Sequence, residues 1–416
     1  MLAKALKSFA GKQTSFAFAS SAVRSISASA GAPEVDVVNP QGSRRVVVTK
    51  PLPGTRWLDV LTHFADARVE VCKPTEEILP NESIQRLIGS QCNGAIGQLT
   101  EKWDDSLFES LKNAGATAFS NYAVGYDNVR VGEATKRGIA VGNTPGVLTE
   151  TTAEIAASLT LAAARRVPEA DKYMRAGKFK GWLPTLFVGN LLQNKTVGIV
   201  GAGRIGAAYA RMMVEGHKMD VVYYDMYQNK DLESFVQVYG DLLEQRGERR
   251  VNIRRANSVQ EIAETADVVS LHCKLDDTTK HIFNADMLKR MKADATLVNT
   301  SRGPCIDEKA LVNHLKENPS FKAALDVYEE EPKMAPGLDQ CENAVIVPHI
   351  ASASQWTRSG MATLAAANVA MHLQNKPARN APDVLPYVYK ALEQIPQAMP
   401  SIVNSNDLGL SVNSDA

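Results

Sequence analysis

The sequence predicts an α/β chain of two doubly wound parallel-sheet domains with a cleft between them. Three observations predict it. After Pro40, short β-branched runs alternate with longer amphipathic stretches, the pattern of parallel strands covered by helices on both faces. The runs fall into two series, separated by one long Ala-rich helical stretch. The second series opens with a strand that leads directly into a glycine-spaced turn and a helix.

The 416 residues are 44% hydrophobic and 22% charged, with 46 basic against 46 acidic side chains. That balance suits two or three globular domains and points to no nucleic-acid partner. No run of about 18 apolar residues is present, so no membrane span is expected. The cysteines Cys72, Cys92, Cys273, Cys305 and Cys341 are odd in number and lack CxxC spacing. Neither a disulfide framework nor a zinc site is expected, and the seven histidines have no metal-ligand spacing. The expected metal is none.

Residues 1–33 stand apart. They hold Lys4, Lys7, Lys12 and Arg24, and no acidic residue precedes Glu34. Leu2, Ala5, Leu6, Phe9 and Ala10 share one helical face, and Ser and Ala dominate the stretch from Ser15 to Ala30. This is the pattern of an organelle transit peptide. A mitochondrial matrix location is expected in preference to a chloroplast, because the apolar face begins at residue 2.

The first domain is expected over 34–153, with strands at Arg45–Thr49, Arg68–Cys72, Asn93–Gly97, Thr117–Ser120 and Ile139–Gly142. The stretch TETTAEIAASLTLAAARRVPEADKYM reads as a helix leading into the second domain. Thr149, Thr151 and Thr152 are candidate N-caps, with Glu154 able to close a capping box. The second domain is expected over 154–352, with strands at Thr196–Val200, Asp220–Asp225, Asp267–Leu271, Thr296–Thr300, Lys322–Asp326 and Val345–Val347. Residues 353–416 are expected to supply a helix returning to the first domain, near Arg358 to Asn375, and then an irregular Pro- and Asn-rich tail. The segment from Gln228 to Asn257 exceeds what a simple βαβ unit needs and reads as a charged excursion.

The cofactor signal is VGIVGAGRIG. Gly201 permits the tight turn, Gly203 lets the backbone approach a pyrophosphate, and Gly206 lets helix and strand pack closely. Arg204 and Ile205 belong to the same cofactor-binding stretch, where a helix N-terminus offers free N–H groups to phosphate. Asp225 ends the next strand about 20 residues further on, where an acid accepts hydrogen bonds from the adenosine ribose. A carboxylate there repels a 2′-phosphate, and Met226 and Tyr227 supply no arginine for one. The expectation is a Rossmann domain binding NAD, as NADH.

Three segments end predicted strands of that sheet, on the edge where open α/β sheets bind ligands. They are NTSRGP, LDVYEEEP and VPHIAS, and they bring an arginine, glutamates and a histidine. Arg302 can fork onto a carboxylate and an adjacent carbonyl oxygen. His349 can give a proton to the alkoxide formed by hydride transfer. A carboxylate on its other ring nitrogen would orient the ring and keep it charged. The chemistry that fits is hydride transfer between a nicotinamide and a 2-keto acid.

These motifs resemble the D-isomer-specific 2-hydroxyacid dehydrogenase family, and within it the plant-type NADH-dependent hydroxypyruvate reductases, or glycerate dehydrogenases. Further matching stretches include TKPLPGTRW, FSNYAVGYDNV, GIAVGNTPGVLTETTAE and HLKENP. The resemblance implies a flavodoxin-like substrate domain beside the Rossmann domain. It implies reduction of hydroxypyruvate to D-glycerate, and of glyoxylate to glycolate, in photorespiration. It puts the catalytic carboxylate on Glu331, the glutamate before Pro332, with Arg302 and His349 as its partners. Glu329 and Glu330 are then expected to be solvated rim charges. It implies a carboxylate-binding backbone loop at Val124 and Gly125, and an aromatic, Trp182, that reaches a neighbouring subunit's substrate in a homodimer. It also implies Thr300, Asp326 and Ser352 near the nicotinamide. Plant relatives end in Ser-Lys-Leu; this sequence ends in Asn413-Ser414-Asp415-Ala416, so no C-terminal peroxisomal signal is expected. Other readings are a different D-2-hydroxyacid dehydrogenase or a non-catalytic NAD-sensing protein.

Overall fold

A computed structural model of the chain describes residues 24–26, 33–381 and 383–412. The chain divides into two compact units. One comprises Met1–Thr144, Ala362–Ala381 and Pro386–Ala416; the other comprises Pro145–Met361 and Pro382–Leu385. The chain thus changes unit after Thr144 and after Met361, against the expected 153 and 352, and again after Ala381 and after Leu385.

The first unit is built on a sheet whose described strands are β1 (Arg24–Ile26), β2 (Val35–Val38), β3 (Arg44–Val48), β4 (Ala67–Cys72), β5 (Gly94–Gln98), β6 (Ala118–Tyr122) and β7 (Ala140–Gly142). Their order is β1-β2-β4-β3-β5-β6-β7. The parallel part, β4-β3-β5-β6-β7, has the flavodoxin-like order. The sheet is not purely parallel as expected, because β2 runs antiparallel to β4 and β1 antiparallel to β2. A tight turn reverses the chain between β2 and β3: Asn39 has φ 50°, and a Cβ on Gly42 would lie 2.4 Å from the Arg68 nitrogen. Arg24–Ile26, part of the expected presequence, thus forms an edge strand; the rest of 1–32 lies outside the described residues.

Alternation along these strands supplies two apolar faces. On one, Val47, Ala95, Phe119 and Val141 meet the helices Asn81–Ile88, Asp105–Asn113 and Val131–Lys136. Trp103 packs on Phe119 at a tilt of 38° with centroids 4.1 Å apart, and Phe108 meets Phe119 edge-on at 5.6 Å. The helix Gln355–Leu373 contributes Asn368, whose Nδ2 donates to the Asn143 carbonyl at 2.9 Å. A Cβ on Gly142 would lie 2.6 Å from that amide, so only glycine admits it. The expected irregular tail carries the short helix Leu385–Tyr389 and then runs antiparallel to β7. Val403 N donates to Val141 O at 2.8 Å, and Asn404 Oδ1 accepts from Val141 N at 2.9 Å. The tail therefore covers an edge that would otherwise expose unpaired N–H and C=O groups.

The second unit's described strands are β8 (Thr196–Val200), β9 (Asp220–Tyr224), β10 (Ile253–Arg255), β11 (Val268–Leu271), β12 (Thr296–Asn299), β13 (Lys322–Leu325) and β14 (Ala344–Ile346). All are parallel, in the order β10-β9-β8-β11-β12-β13-β14. That is the Rossmann order with one further strand. Val197, Ile199, Val221, Tyr223 and Val268 face helices Thr149–Ala164, Arg204–His217 and Lys230–Gln245. Val200, Val222, Val269 and Leu271 face helices Val259–Thr265, Ala285–Arg290 and Glu308–Glu317. The sheet is thus doubly wound.

Two local expectations are corrected. The 228–257 segment is not an excursion but a helix and the edge strand β10. Asn229 caps the helix by accepting from Leu232 N at 2.9 Å, and Leu232, Val236 and Leu243 bury its inner face. No capping box opens the helix Thr149–Ala164. Its N-cap is Leu148, which puts the threonines inside the first turn, and Thr151 Oγ1 pairs with Thr357 Oγ1 at 2.6 Å instead.

Candidate active site

The turn after β8 lies at the point where strand order reverses, between β8 and β11. Gly201 has φ +92°, and a Cβ there would lie 2.7 Å from the Cys273 nitrogen. A Cβ on Gly206 would lie 2.1 Å from the Gly201 carbonyl oxygen, so the helix Arg204–His217 can seat against the turn only with glycine there. A Cβ on Gly203 would meet nothing within 4 Å. The first and third glycines are thus needed by the protein itself. The second faces open space in front of the N-terminal N–H groups of Arg204 and Ile205.

Asp225 follows β9, and its Oδ1 accepts from Tyr227 N at 3.0 Å. The sequence suggested no arginine beside it, but the fold supplies one. Arg255, at the end of β10, donates from Nη2 to the carbonyls of Asp225 and Met226 at 2.8 and 2.9 Å. Parallel pairing of β10 with β9 sets Arg255 opposite Tyr223. Asn229 Nδ2 donates to the Ala202 carbonyl at 2.7 Å and so braces the glycine turn from this side.

The LDVYEEEP and VPHIAS segments meet. His349 Nδ1 lies 2.9 Å from Glu331 Oε2. Glu331 Oε1 accepts from Tyr328 N at 3.1 Å. Burial pushes the Glu331 carboxyl up, but the His349 hydrogen bond and charge, the Tyr328 N–H and the Arg302 charge outweigh it and hold it below the usual carboxylate value. An ionised carboxylate only accepts, so Nδ1 carries the proton and Nε2 is left as the working nitrogen. His349 has φ 52°, a left-handed conformation uncommon for a residue with a side chain. Asp326 imposes it: its carbonyl accepts from His349 N at 2.9 Å, and its carboxylate accepts from Ile350 N at 2.6 Å and Ala351 N at 2.9 Å. Asp326 is therefore an anchor for the histidine loop.

Arg302 follows β12. Its carbonyl accepts from Asn299 Nδ2 at 2.8 Å, and its own Nη1 donates to Ser301 O at 2.9 Å. The Thr300 hydroxyl is buried and has no hydrogen-bond partner among the described residues. Ser352 is half-buried and is not the cap of the following helix; Ser354 Oγ accepts from Thr357 N at 3.1 Å in that role. Glu330 is exposed, as expected. Glu329 is not a solvated charge: its Oε1 lies 2.6 Å from His281 Nε2, and its Oε2 accepts from Glu308 N at 3.2 Å. That second histidine–carboxylate pair has no signal in the sequence, because the loop carrying His281 is remote in the chain.

In the first unit, Val124 and Gly125 follow β6. Asn143 Nδ2 donates to Val124 O at 2.8 Å, Asn121 Nδ2 to Gly125 O at 3.0 Å, and Thr144 N to Ala123 O at 2.8 Å. In a trans peptide the N–H points opposite to the preceding carbonyl. Pinning Ala123 O and Val124 O therefore aims the N–H groups of Val124 and Gly125 the other way. Trp182 stands 82% exposed on the loop after the helix Val167–Arg175.

The second unit's features fit a dinucleotide. The space before Gly203, the helix N-terminus and the Asp225 carboxylate would hold pyrophosphate and ribose. The buried Thr300 hydroxyl, which follows β12 and has no hydrogen-bond partner among the described residues, also fits such a group.

The chain matches the family model for the D-isomer specific 2-hydroxyacid dehydrogenase NAD binding domain over residues 157–351. It is 58% identical over 377 residues to the glycerate dehydrogenase of Cucumis sativus, covering 90% of this chain and 98% of that one. It is also 58% identical over 379 residues to the peroxisomal glycerate dehydrogenase HPR of Arabidopsis thaliana, covering 91% and 98%. Among solved structures, a protein from Thermus thermophilus superposes with a TM-score of 0.71 at 34% identity, covering 86% of this chain and 99% of the other. A glyoxylate reductase from Paecilomyes thermophila superposes with a TM-score of 0.67 at 25% identity, covering 88% and 99%. The peroxisomal designation of the Arabidopsis relative overturns the expected mitochondrial or chloroplast matrix location. An NAD-binding domain with its glycine turn intact, matched along almost the whole length of these dehydrogenases, leads to one conclusion: the chain belongs to the D-isomer specific 2-hydroxyacid dehydrogenase family.

Proposed function

We propose that the protein is an NADH-dependent reductase that converts hydroxypyruvate to D-glycerate, and glyoxylate to glycolate, as in photorespiration. The observation that carries this reading is the 2.9 Å contact between His349 Nδ1 and Glu331 Oε2, in a chain 58% identical to glycerate dehydrogenases.

Bound NADH supplies the hydride that reaches the substrate's carbonyl carbon. Arg302 grips the substrate carboxylate and carbonyl oxygen with parallel N–H bonds. The N–H groups of Val124 and Gly125 bind the carboxylate. As the carbonyl oxygen becomes an alkoxide, His349 gives it the Nε2 proton. The ionised Glu331 stabilises the charged ring before transfer and holds its orientation. Asp326 fixes the backbone that carries the ring.

The NADH preference rests on Asp225. We assign its Oδ2 to the ribose hydroxyls, where it repels a 2′-phosphate. Arg255 is a nearby cation, but its Nη2 is engaged by two carbonyls. We assign the exposed apolar residues Val167, Met174, Trp182, Leu183, Val188 and Leu191, on the helix Val167–Arg175 and the loop after it and each more than half exposed, to contact with a second copy of the chain. Trp182 would then reach the partner's substrate.

The test is a steady-state panel of hydroxypyruvate, glyoxylate and pyruvate, each with NADH and NADPH. Hydroxypyruvate with NADH is expected to give the highest kcat/KM. No turnover with any of the three acids would end the enzymatic reading, and a clear NADPH preference would end the Asp225 argument.

A further inference from the structure

Cys273 and Cys305 come from different strand ends of the second sheet, and their sulfurs lie 3.9 Å apart. Cys273 lies just beyond β11, and Cys305 closes the short turn Gly303–Cys305 after Arg302. β11 and β12 are parallel neighbours, with Leu271 opposite Asn299, so the pairing follows from sheet register. Both thiols are free; Cys305 is fully buried and Cys273 partly exposed.

The backbone of each cysteine adjoins a different part of the site. Cys273 backbone atoms pack where a Cβ on Gly201 would sit, at 2.7 and 2.9 Å. Cys305 N donates to the Arg302 carbonyl at 3.2 Å, and Ser301 Oγ lies 3.9 Å from Cys305 Sγ. We propose that Cys273 and Cys305 form a reversible intramolecular disulfide, made by a hydroperoxide, that draws the Arg302 turn out of its productive position. The regulatory half of this proposal rests on the reading of Arg302 as the substrate-binding arginine; the disulfide itself does not.

A disulfide needs the sulfurs at about 2.05 Å, so the pair must close by nearly half its present separation. The Arg302 turn is the element that can follow, since a 3₁₀ turn is looser than the strand beneath it. The Cys305 thiol is held below its ordinary value, chiefly by the hydrogen bond from Cys273 and further by Ser301 and the Arg302 charge, against its burial. The Cys273 thiol is pushed up by that same hydrogen bond and by its own burial, so the negative charge rests first on Cys305 and passes to the partly exposed Cys273, which meets the oxidant, as the shared proton moves across.

The chemistry balances. The Cys273 thiolate breaks the peroxide O–O bond, takes one oxygen as a sulfenic acid, and releases hydroxide. The Cys305 sulfur then forms the S–S bond, and the S–O bond breaks with loss of water. Two thiols and one hydrogen peroxide give one disulfide and two waters; the sulfurs lose two electrons and the peroxide gains them. A dithiol reverses the step by exchange.

The test uses the full-length enzyme treated with hydrogen peroxide, then with dithiothreitol. Free thiols are alkylated and the protein is digested with trypsin without reduction. The peptides 256–274 and 303–309 should appear joined and two hydrogens lighter than their sum. In the same samples kcat/KM for hydroxypyruvate should fall about 10- to 100-fold, the scale of misplacing a substrate-positioning group by about 1 Å, and return with dithiothreitol. Cys273→Ser, at the partly exposed position, should keep basal activity and lose the sensitivity; Cys305→Ala should do the same. Absence of the joined peptide overturns the disulfide. A joined peptide with unchanged kinetics, or an equal loss in Cys273→Ser, overturns the coupling to Arg302. A reduced enzyme without activity on any 2-keto acid defeats the proposed function and the coupling with it, while the joined peptide still decides the disulfide.

Discussion

Replacing Glu331 by Gln tests the proposed proton donor directly. The wild-type carboxylate serves two donors at once, His349 Nδ1 at 2.9 Å and Tyr328 N at 3.1 Å. An amide offers one oxygen and one NH₂. If its oxygen turns to His349, the NH₂ faces the Tyr328 N–H; if it turns the other way, the NH₂ faces Nδ1–H. Either arrangement leaves one donor unserved and removes the negative charge. A hydrogen bond to a charged group contributes about 1.5–3 kcal/mol. Losing that from the charged form of the ring amounts to about 10- to 150-fold in its population. Turnover at neutral pH should therefore fall by about the same factor, with NADH affinity nearly unchanged. The assay is the pH profile of hydroxypyruvate reduction, followed by nicotinamide absorbance, for both proteins, with a melting curve to show that the variant is folded. A variant with the wild-type pH profile and turnover would refute the pairing of Glu331 with His349 as the source of the proton.

Asp225→Ala removes the acid and leaves the Arg255 cation beside the turn, so kcat/KM with NADPH relative to NADH should rise roughly 10- to 100-fold; an unchanged ratio in the same two-cofactor assay would show that Asp225 does not select. Gly206→Ala places a Cβ 2.1 Å from the Gly201 carbonyl oxygen, which is backbone and cannot swing away. NADH binding, read by titration of protein fluorescence, should weaken at least about tenfold, as a shift of about 1 Å in the phosphate-binding turn demands, and wild-type affinity would contradict the packing argument. The Glu331 carboxyl is held below its ordinary value. A depressed carboxyl contributes stability that is fully present above its unfolded value and is lost as pH falls through the lower folded value. Stability measured by urea unfolding should therefore fall less between neutral pH and the acid side of about pH 4 in Glu331→Gln than in wild type; equal losses would count against it.

The local reading and the tertiary structure divide the protein between them. The strands from β3 to β9 and from β11 to β14 were legible because buried parallel strands are short apolar runs. β1, β2 and β10 were not, being short strands at or next to a sheet edge whose pairing partners decide their existence. The glycine turn and the nearness of the LDVYEEEP and VPHIAS segments could be read from the order of motifs, because strand ends on one sheet share an edge, while Glu331 came from the resemblance. Arg255 beside Asp225, His281 on Glu329, and Cys273 against Cys305 could not. Each pair joins residues separated in sequence, brought together by strand register or loop packing.

By itself, then, the sequence determined the doubly wound class and the cofactor turn, since each depends on short-range spacing along the chain; it was the family resemblance that singled out Glu331 beside Arg302 and His349. Only the tertiary structure decided that a second glutamate of EEEP, Glu329, also meets a histidine. Backbone spacing gives a side chain its direction, but a hydrogen bond needs a partner, and partners are chosen by the packing of distant segments. Glu331 found His349, Glu329 found His281, and Glu330 was left in solvent.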